Sequence, residues 1–197
     1  MKLFPEQATL YLFKGVAEYS LKKYDEAIVT LNKGIAIVVY DDKLLEEFYS
    51  YLGNAYYDKK NYKDAYLSFD KVLGIDPKNA LVLNNYAYYL SLQDEDLVKA
   101  EKMAKKAVDI EPENSSYLDT YGWVFYKKSN YTEAENWIKK AIDKGGSSNS
   151  AILEHYGDVQ YRLGDADKAL EYWKKAKEKG TGSDSLEKKI SDKKIIE

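Results

Sequence analysis

The feature that most constrains this chain is a spacing of 34 to 38 residues between its smallest helix-compatible side chains. One series of such residues is Gly15, Gly53, Ala87, Gly122 and Gly157. A second series is Ala27, Ala65, Ala100, Ala134 and Ala169. Because both series keep the same spacing along the sequence, the chain is predicted to contain five copies of one structural unit.

Each copy is predicted to be a pair of closely packed helices. A side chain that is larger in most copies follows each alanine by four residues: Leu31, Phe69, Ala104, Ile138 and Trp173. The small residue of the first helix and the alanine of the second allow a close approach, and the larger side chain fills the space between them. We expect Asn79 and Ser115 to cap helices, and Asn130 to form a capping box with Glu133. One pair cannot bury its apolar faces alone, so neighbouring pairs must stack.

The pattern resembles the tetratricopeptide repeat (TPR) family, and its later units are similar to those of bacterial members. The best match in the chain is Tyr49-x-x-Leu52-Gly53-x-x-Tyr56, followed by Tyr62, Ala65, Phe69 and Pro77. The resemblance implies an all-α fold, a right-handed superhelical solenoid of five helix-turn-helix units with a C-terminal capping helix. The array is placed at 1–183, with the cap at 184–197. The five units are placed at about 8–41, 46–79, 80–114, 115–149 and 150–183.

Departures from the repeat occur at its junctions and at the two ends. About four extra residues around 41–45 suggest that the next helix starts early. In the cap, Leu186 and Ile190 fall on one helix face and most other residues are charged. The first helix is apolar around nearly its whole circumference over 8–17, so we expect it to be covered. The chain is therefore interpreted as a fragment of a longer repeat protein or as one that self-associates through this helix.

Composition excludes several classes of function. The chain has no cysteine, which removes disulfides, thiolate metal ligands and cysteine nucleophiles. Its formal net charge is −3 and its lysines are scattered, which argues against nucleic-acid binding. No apolar run is long enough for a membrane span, and the first residues lack the apolar core of a secretory signal. The compartment stays open between the cytoplasm and the periplasm or another extracytoplasmic space. No cofactor or metal is expected.

The family resemblance also implies which residues face the inner groove of the array. These candidate ligand-binding residues are Tyr19, Asn54, Tyr57, Asn84, Tyr88, Trp123, Tyr126, Tyr161 and Arg162. Glu154 and Asp158 occupy further groove positions and help to make the expected groove aromatic and mildly acidic. Each tyrosine has the alternative of being a packing residue, whereas the position of Trp123 does not require an aromatic side chain for the fold. Trp123 is therefore the preferred candidate.

Two specific activities are not expected from the residues. Some family members grip paired C-terminal carboxylates with lysines, asparagines and an arginine. Here Asn54 and Asn85 match the asparagines, but Ser50, Ser116 and Thr120 replace the basic residues, so that partner class is not expected. His155 is the only histidine, and it is interpreted as a packing or capping residue. No triad, zinc-binding helix or phosphate loop accompanies it.

The sequence therefore predicts a non-catalytic protein–protein interaction scaffold that binds a peptide or helix of a partner in its concave groove. The alternative hypothesis is an assembly segment of a larger multi-domain enzyme or of a secretion or envelope complex.

Overall fold

The computed structural model describes residues 5–180 and 182–196. Within those residues the chain forms eleven α-helices and one short 3₁₀ helix, with no strand. It divides into two compact units, residues 1–82 and 83–197. The first unit contains α1 (Pro5–Ser20), α2 (Tyr24–Ile35), α3 (Asp42–Asp58) and α4 (Tyr62–Ile75). The second contains α6 (Leu97–Ile110), α7 (Ser115–Lys127), α8 (Tyr131–Asp143), α9 (Ser150–Arg162), α10 (Ala166–Lys179) and α11 (Leu186–Asp192). The division falls inside α5 (Ala80–Leu92).

Some of the sequence-based expectations extend past these residues. Positions 1–4 of the predicted array, Thr181 of the fifth predicted unit and Glu197 of the predicted cap lie outside the described residues.

In the first unit, helices pack in pairs around glycines, as the spacing predicted. A Cβ atom placed on Gly15 of α1 would lie 2.6 Å from the Leu31 side chain of α2. One placed on Gly53 of α3 would lie 2.5 Å from the Phe69 ring of α4. The same device joins consecutive pairs, because the Phe48 ring of α3 occupies the space beside Gly34 of α2. Absence of a Cβ is thus what lets these helices touch.

The second unit repeats this arrangement. Gly122 of α7 faces Ile138 of α8, and Gly157 of α9 faces the Trp173 indole of α10. A Cβ atom placed on either glycine would lie 2.5 Å from the facing side chain. Trp173 and Ile138 are fully buried. The expectation that a larger side chain fills the space between small residues is confirmed in both units.

Asparagine and aspartate side chains begin most of the described helices. Asn79 Oδ1 accepts a hydrogen bond from the Val82 backbone N–H at 3.0 Å, as predicted. Asn130 caps α8 through the Glu133 N–H at 3.4 Å, but its own N–H donates to the Phe125 carbonyl, so the reciprocal half of a capping box does not form.

The prediction that Ser115 caps α7 is wrong. The cap is Asn114, whose side chain accepts from the backbone N–H groups of Ser116 and Tyr117. Asn114 precedes the first helical residue, and an amide oxygen there reaches the free N–H donors of the first turn.

The early start expected after the first pair is confirmed. Helix α3 begins at Asp42, capped by Asp41, and runs for 17 residues, whereas α5, α7 and α9 have 13 each.

Helix α1 is buried on one side only. Ala8 and Leu12 pack into the core of the first unit, while Leu10 and Phe13 are 66% and 65% exposed. Leu21, just after the helix, is also exposed. The apolar outer face recognised in the sequence is therefore open to solvent within this unit.

A methyl group at Gly157 is expected to destabilise the protein. Gly157→Ala places a Cβ against Trp173, and overpacking of this kind typically costs about 1–3 kcal/mol of unfolding free energy. Gly74→Ala is the matched control, because among the described residues no atom beyond its chain neighbours and its own helix backbone lies within 4 Å of the added Cβ. Alanine also favours a helix over glycine by up to about 1 kcal/mol. Urea unfolding of both variants measures the difference. Equal or greater stability of Gly157→Ala would contradict the close-approach account.

Candidate functional site

Four of the predicted ligand-binding residues line one cavity in the second unit. Tyr88 of α5, Trp123 and Tyr126 of α7, and Arg162 of α9 surround a space of about 780 Å³. We call this space the aromatic cavity. Helices α7 and α9 present these residues on the same side because each packs against its following helix through an equivalent glycine, Gly122 or Gly157.

Three aromatic rings form a continuous stack in the wall of the aromatic cavity. Trp123 lies between Tyr126, with ring centroids 4.5 Å apart and planes 8° from parallel, and His155, at 3.9 Å and 17°. Trp123 and Tyr126 are three residues apart on α7, which places them side by side on one helix face. His155 comes from α9 and was not among the predicted ligand-binding residues. Its packing interpretation agrees with this contact.

Trp123 is more enclosed than the sequence argument assumed. Its side chain is only 9% exposed because neighbouring rings cover both of its faces. Its indole Nε1 is buried and has no hydrogen-bond partner among the described residues. Tyr126, at the end of the stack opposite His155, is half-buried.

The rim of the aromatic cavity carries positive side chains. Arg162 Nε donates to the Tyr126 hydroxyl at 3.3 Å and so holds the outer ring of the stack in place. Burial raises the pKa of Tyr126, and the guanidinium of Arg162 offsets only part of that effect. Lys127 pairs with Asp94 at 2.9 Å, so this lysine is held across the rim.

Asp119 and His155 form a largely buried pair beneath the stack. The Nδ1 atom of His155 lies 2.9 Å from the Asp119 Oδ2. Burial opposes the charged imidazolium, but the Asp119 carboxylate, with smaller contributions from Asp158 and Glu154, outweighs burial and raises the pKa of His155. The pair thus orients the third ring of the stack from below.

The two acidic residues predicted for α9 are paired within the chain. Lys189 Nζ of α11 lies 2.8 Å from Glu154 Oε1 and 2.7 Å from Asp158 Oδ2, and all three side chains are buried. Burial raises the pKa of Asp158, whereas for Glu154 the bonds from Lys189 and Ser183 outweigh burial and lower the pKa. The expected acidity of the groove is therefore compensated here by the C-terminal helix.

The sequence analysis did not predict that His155 pairs with Asp119 or that Lys189 pairs with Glu154 and Asp158, although the spacing of these residues indicates such contacts. Asp119 and His155 are 36 residues apart, and Glu154 and Lys189 are 35 apart. An acid in one unit is thus followed, one repeat length later, by a base.

Two predicted residues of the second unit are not brought to the aromatic cavity. The ring of Tyr161 lies 5.8 Å from Trp173 and packs against the buried cluster of α9 and α10. Asn84 is buried, and its Nδ2 donates to Asn85 Oδ1 at 3.2 Å.

The remaining predicted residues belong to the first unit. Tyr19 donates its hydroxyl proton to Asp58 Oδ2 at 2.8 Å. The ring of Tyr57 packs against Tyr62 at 5.2 Å. Asn54 lines a smaller hollow of about 380 Å³ with Glu47. These three residues therefore make separate contacts and do not line one common cavity, unlike the predicted residues around the aromatic cavity.

Two properties of the described residues bear on metal binding and on membrane insertion. No group of three or more histidine, aspartate or glutamate side chains in residues 5–180 and 182–196 is placed to hold a metal ion. None of the helices over the same residues is long and apolar enough to cross a bilayer.

Comparison with known proteins identifies the family. Models of the tetratricopeptide repeat match residues 8–37, 46–79 and 91–186. The chain belongs to the tetratricopeptide repeat family. A search of curated protein sequences gives no match.

Solved structures that resemble the chain share its fold at low identity. TTC0263, a thermophilic TPR protein of Thermus thermophilus, is 20% identical with a TM-score of 0.74, over 94% of this chain and 98% of that one. PilF of Pseudomonas aeruginosa is 20% identical with a TM-score of 0.76, over 96% and 88%. MamA from residue 41 onward, of Desulfovibrio magneticus RS-1, is 20% identical with a TM-score of 0.70, over 87% and 94%.

These matches confirm the predicted fold class, an all-helical TPR solenoid. Proteins of this fold are in general non-catalytic scaffolds that bind other proteins, and this chain is a protein-interaction scaffold in that general sense.

Removing the Asp119 carboxylate is expected to lower the pKa of His155. In Asp119→Asn, burial still disfavours the imidazolium but its main partner is lost. The single histidine allows an NMR titration of its ring protons to give the value directly. Asp94→Asn, at the rim and paired with Lys127, is the control and should leave it unchanged.

The same pair makes stability depend on pH. The pKa of His155 is higher in the folded state than its usual value of about 6.5. The ion pair therefore contributes its full stabilisation of the folded state below about pH 6.5, and this stabilisation is lost as the pH rises through the folded-state pKa. The stability gap between the wild type and Asp119→Asn should shrink over that range. A gap independent of pH would contradict the ion pair.

Proposed function

We propose that the chain is a non-catalytic scaffold that binds a peptide or helix of a partner protein at the aromatic cavity. The observation that carries this proposal is the stack of Tyr126, Trp123 and His155 in the wall of a cavity of about 780 Å³. Such a volume suits the insertion of one or two large side chains of a partner segment. Rigid aromatic surfaces of this kind dominate the energetics of protein interfaces.

Within the stack, Tyr126 is the residue best placed to contact a partner. Trp123 is covered on both faces, so its part is to fix the plane of Tyr126 rather than to offer a large contact area. Arg162 holds the Tyr126 hydroxyl from the opposite end of the ring. A ring whose position is fixed in this way loses little side-chain entropy on binding.

The chemistry of the cavity favours a partner segment with an apolar or aromatic side chain. The stack supplies a flat apolar surface, and a tyrosine hydroxyl and a guanidinium lie at its edge. Glu154 and Asp158 already pair with Lys189, so net acidity does not select the ligand at this place.

The alternative role, assembly into a larger complex, is supported by a different observation. Helix α1 leaves Leu10 and Phe13 mostly exposed, and Leu21 follows them. A solvent-exposed apolar face of this kind is typical of a surface that another chain covers. This second proposal concerns the first unit alone.

Tyr126→Ala is expected to weaken peptide binding at least tenfold. Loss of an interface aromatic of this type commonly costs about 2 kcal/mol or more of binding free energy. Ligands would be selected from a displayed random-peptide library on the wild type and their Kd measured by fluorescence anisotropy. Tyr40→Ala, a fully exposed tyrosine of the first unit, is the control. Undiminished binding by Tyr126→Ala would overturn the proposal. Trp123→Ala is a poorer test, because emptying a buried ring site typically costs about 3–5 kcal/mol of stability.

Phe13→Asp is expected to reduce any self-association of the chain. A carboxylate on the exposed face of α1 leaves the fold intact but cannot be buried without a large desolvation cost. Light scattering over a range of concentrations gives the mass of the wild type and the variant. Asp25→Asn, an exposed change on α2, is the control. A wild type that stays monomeric at every concentration would contradict the proposal that the chain self-associates through α1.

A further inference from the structure

The C-terminal segment, residues 182–196, is held to the second unit by two side chains of α11. Leu186 is completely buried, and Lys189 ion-pairs with both Glu154 and Asp158. The two anchors are three residues apart, which puts them on the same face of the helix. Leu186 packs in a cluster with Leu153, Ala169, Trp173 and Ala176.

The surface that receives these two side chains has a defined chemistry. We call it the tail pocket: the apolar cluster beneath Leu186 together with the carboxylates of Glu154 and Asp158. Trp173 Nε1 donates to Asp158 Oδ1 at 2.9 Å, which fixes that carboxylate in place. Two buried carboxylates without a cation would be strongly unfavourable, so the pocket demands a basic occupant beside an apolar one.

The segment entering the pocket is also specifically shaped. The Ser183 N–H donates to Glu154 Oε2 at 2.8 Å, and its hydroxyl donates to the other oxygen of that carboxylate. Gly182 has φ +60°, and a Cβ there would collide with Leu186 and lie 2.9 Å from Glu154. A glycine is therefore required for the chain to turn into the pocket.

The other contacts of the segment are peripheral. Ile190 and Ile195 are only partly buried against the same cluster, and Glu187 pairs with Lys177 at 2.9 Å between two exposed side chains. Helix α11 has seven residues, well below the ~12–15 that an isolated helix needs to be even marginally stable in water. Buried ion pairs gain little net free energy over the cost of desolvating them. Docking of the segment therefore depends mainly on Leu186, Lys189 and the bonds of Ser183, with smaller apolar contacts from Ile190 and Ile195. A segment held by so few buried groups is suited to local opening.

We propose that the C-terminal segment is an internal ligand. The tail pocket is a docking site for a partner helix that presents an apolar residue followed three positions later by a lysine, and such a helix displaces α11. Charge complementarity defines this partner, because the two carboxylates match the ammonium group that they already hold. The tail pocket adjoins the aromatic cavity, because Glu154, Asp158 and Lys189 line that cavity too. The proposal rests on the contacts of α11 and not on the aromatic stack.

The tethered segment competes with any added ligand. A short tether gives an effective concentration of about the millimolar range, so only a small fraction of wild-type pockets is open at a given time. The apparent Kd of an added peptide equals its intrinsic Kd divided by the fraction of open pockets. Substitutions that weaken the docking of α11 must therefore increase the affinity of the tail pocket for an added peptide.

The test uses a fluorescein-labelled synthetic peptide with the sequence of residues 182–197 and the full-length protein. Leu186→Ala/Lys189→Ala is expected to bind this peptide at least about tenfold more tightly than the wild type does, by fluorescence anisotropy. Lys188→Ala, which changes the exposed lysine next to Lys189, is the matched control and should bind as the wild type does. A peptide carrying Lys189→Ala should bind neither protein. Equal affinity of the double variant and the wild type would overturn the proposal.

Hydrogen exchange on the wild type tests the proposal without relying on a variant that folds poorly. The amides of α11 should exchange faster than those of α9 and α10, and an excess of unlabelled peptide should accelerate them further. Exchange of all three helices at one common rate would mean that α11 never leaves the pocket, which overturns the proposal. A concentration-dependent dimer that Lys189→Ala abolishes would assign the pocket to a second copy and overturn the partner version.

Discussion

Close contact between a glycine on one helix and a large side chain on the next is the interaction on which this structure depends. The pairs Gly15–Leu31, Gly53–Phe69, Gly122–Ile138 and Gly157–Trp173 all use it. Each places a bulky side chain where a Cβ atom would otherwise stand, so each fixes the distance and rotation of two helices at once. Because the contact recurs at one position of every such pair, equivalent residues in different pairs occupy equivalent places. The aromatic stack exists because α7 and α9 are set in this common frame.

The sequence was sufficient for the helix pairs, the glycine contacts and four of the residues around the aromatic cavity. These features follow from spacing inside one repeat, which periodicity reports directly. The exact residue at which a helix begins was predicted less well. Asn114 caps α7, one residue before the predicted Ser115. The enclosure of Trp123 was also missed. It depends on His155, which reaches the indole from a helix of the next repeat.

Contacts between repeats account for most of what sequence reasoning left out. The groove positions that the family implies are defined within one unit, so they predict acidic side chains without the partners that a later unit supplies. In the second unit Asp119 meets His155, and Glu154 meets Lys189, each about one repeat length away. Tyr161 and Asn84 face the packed interior instead of the aromatic cavity for a related reason. Which side of a helix is covered depends on its neighbours as well as on its own pattern.

The acid–base pairs of the second unit make its repeats non-interchangeable. If residues 115–149 were duplicated in tandem, the counterpart of Thr120 in the second copy would stand where His155 now meets Asp119. A hydroxyl cannot neutralise that enclosed carboxylate, so the inserted module would carry a buried charge without a counterion. The order of the modules is therefore determined by the side chains at their junctions. Lengthening this array by gene duplication would require a compensating basic substitution at each new junction.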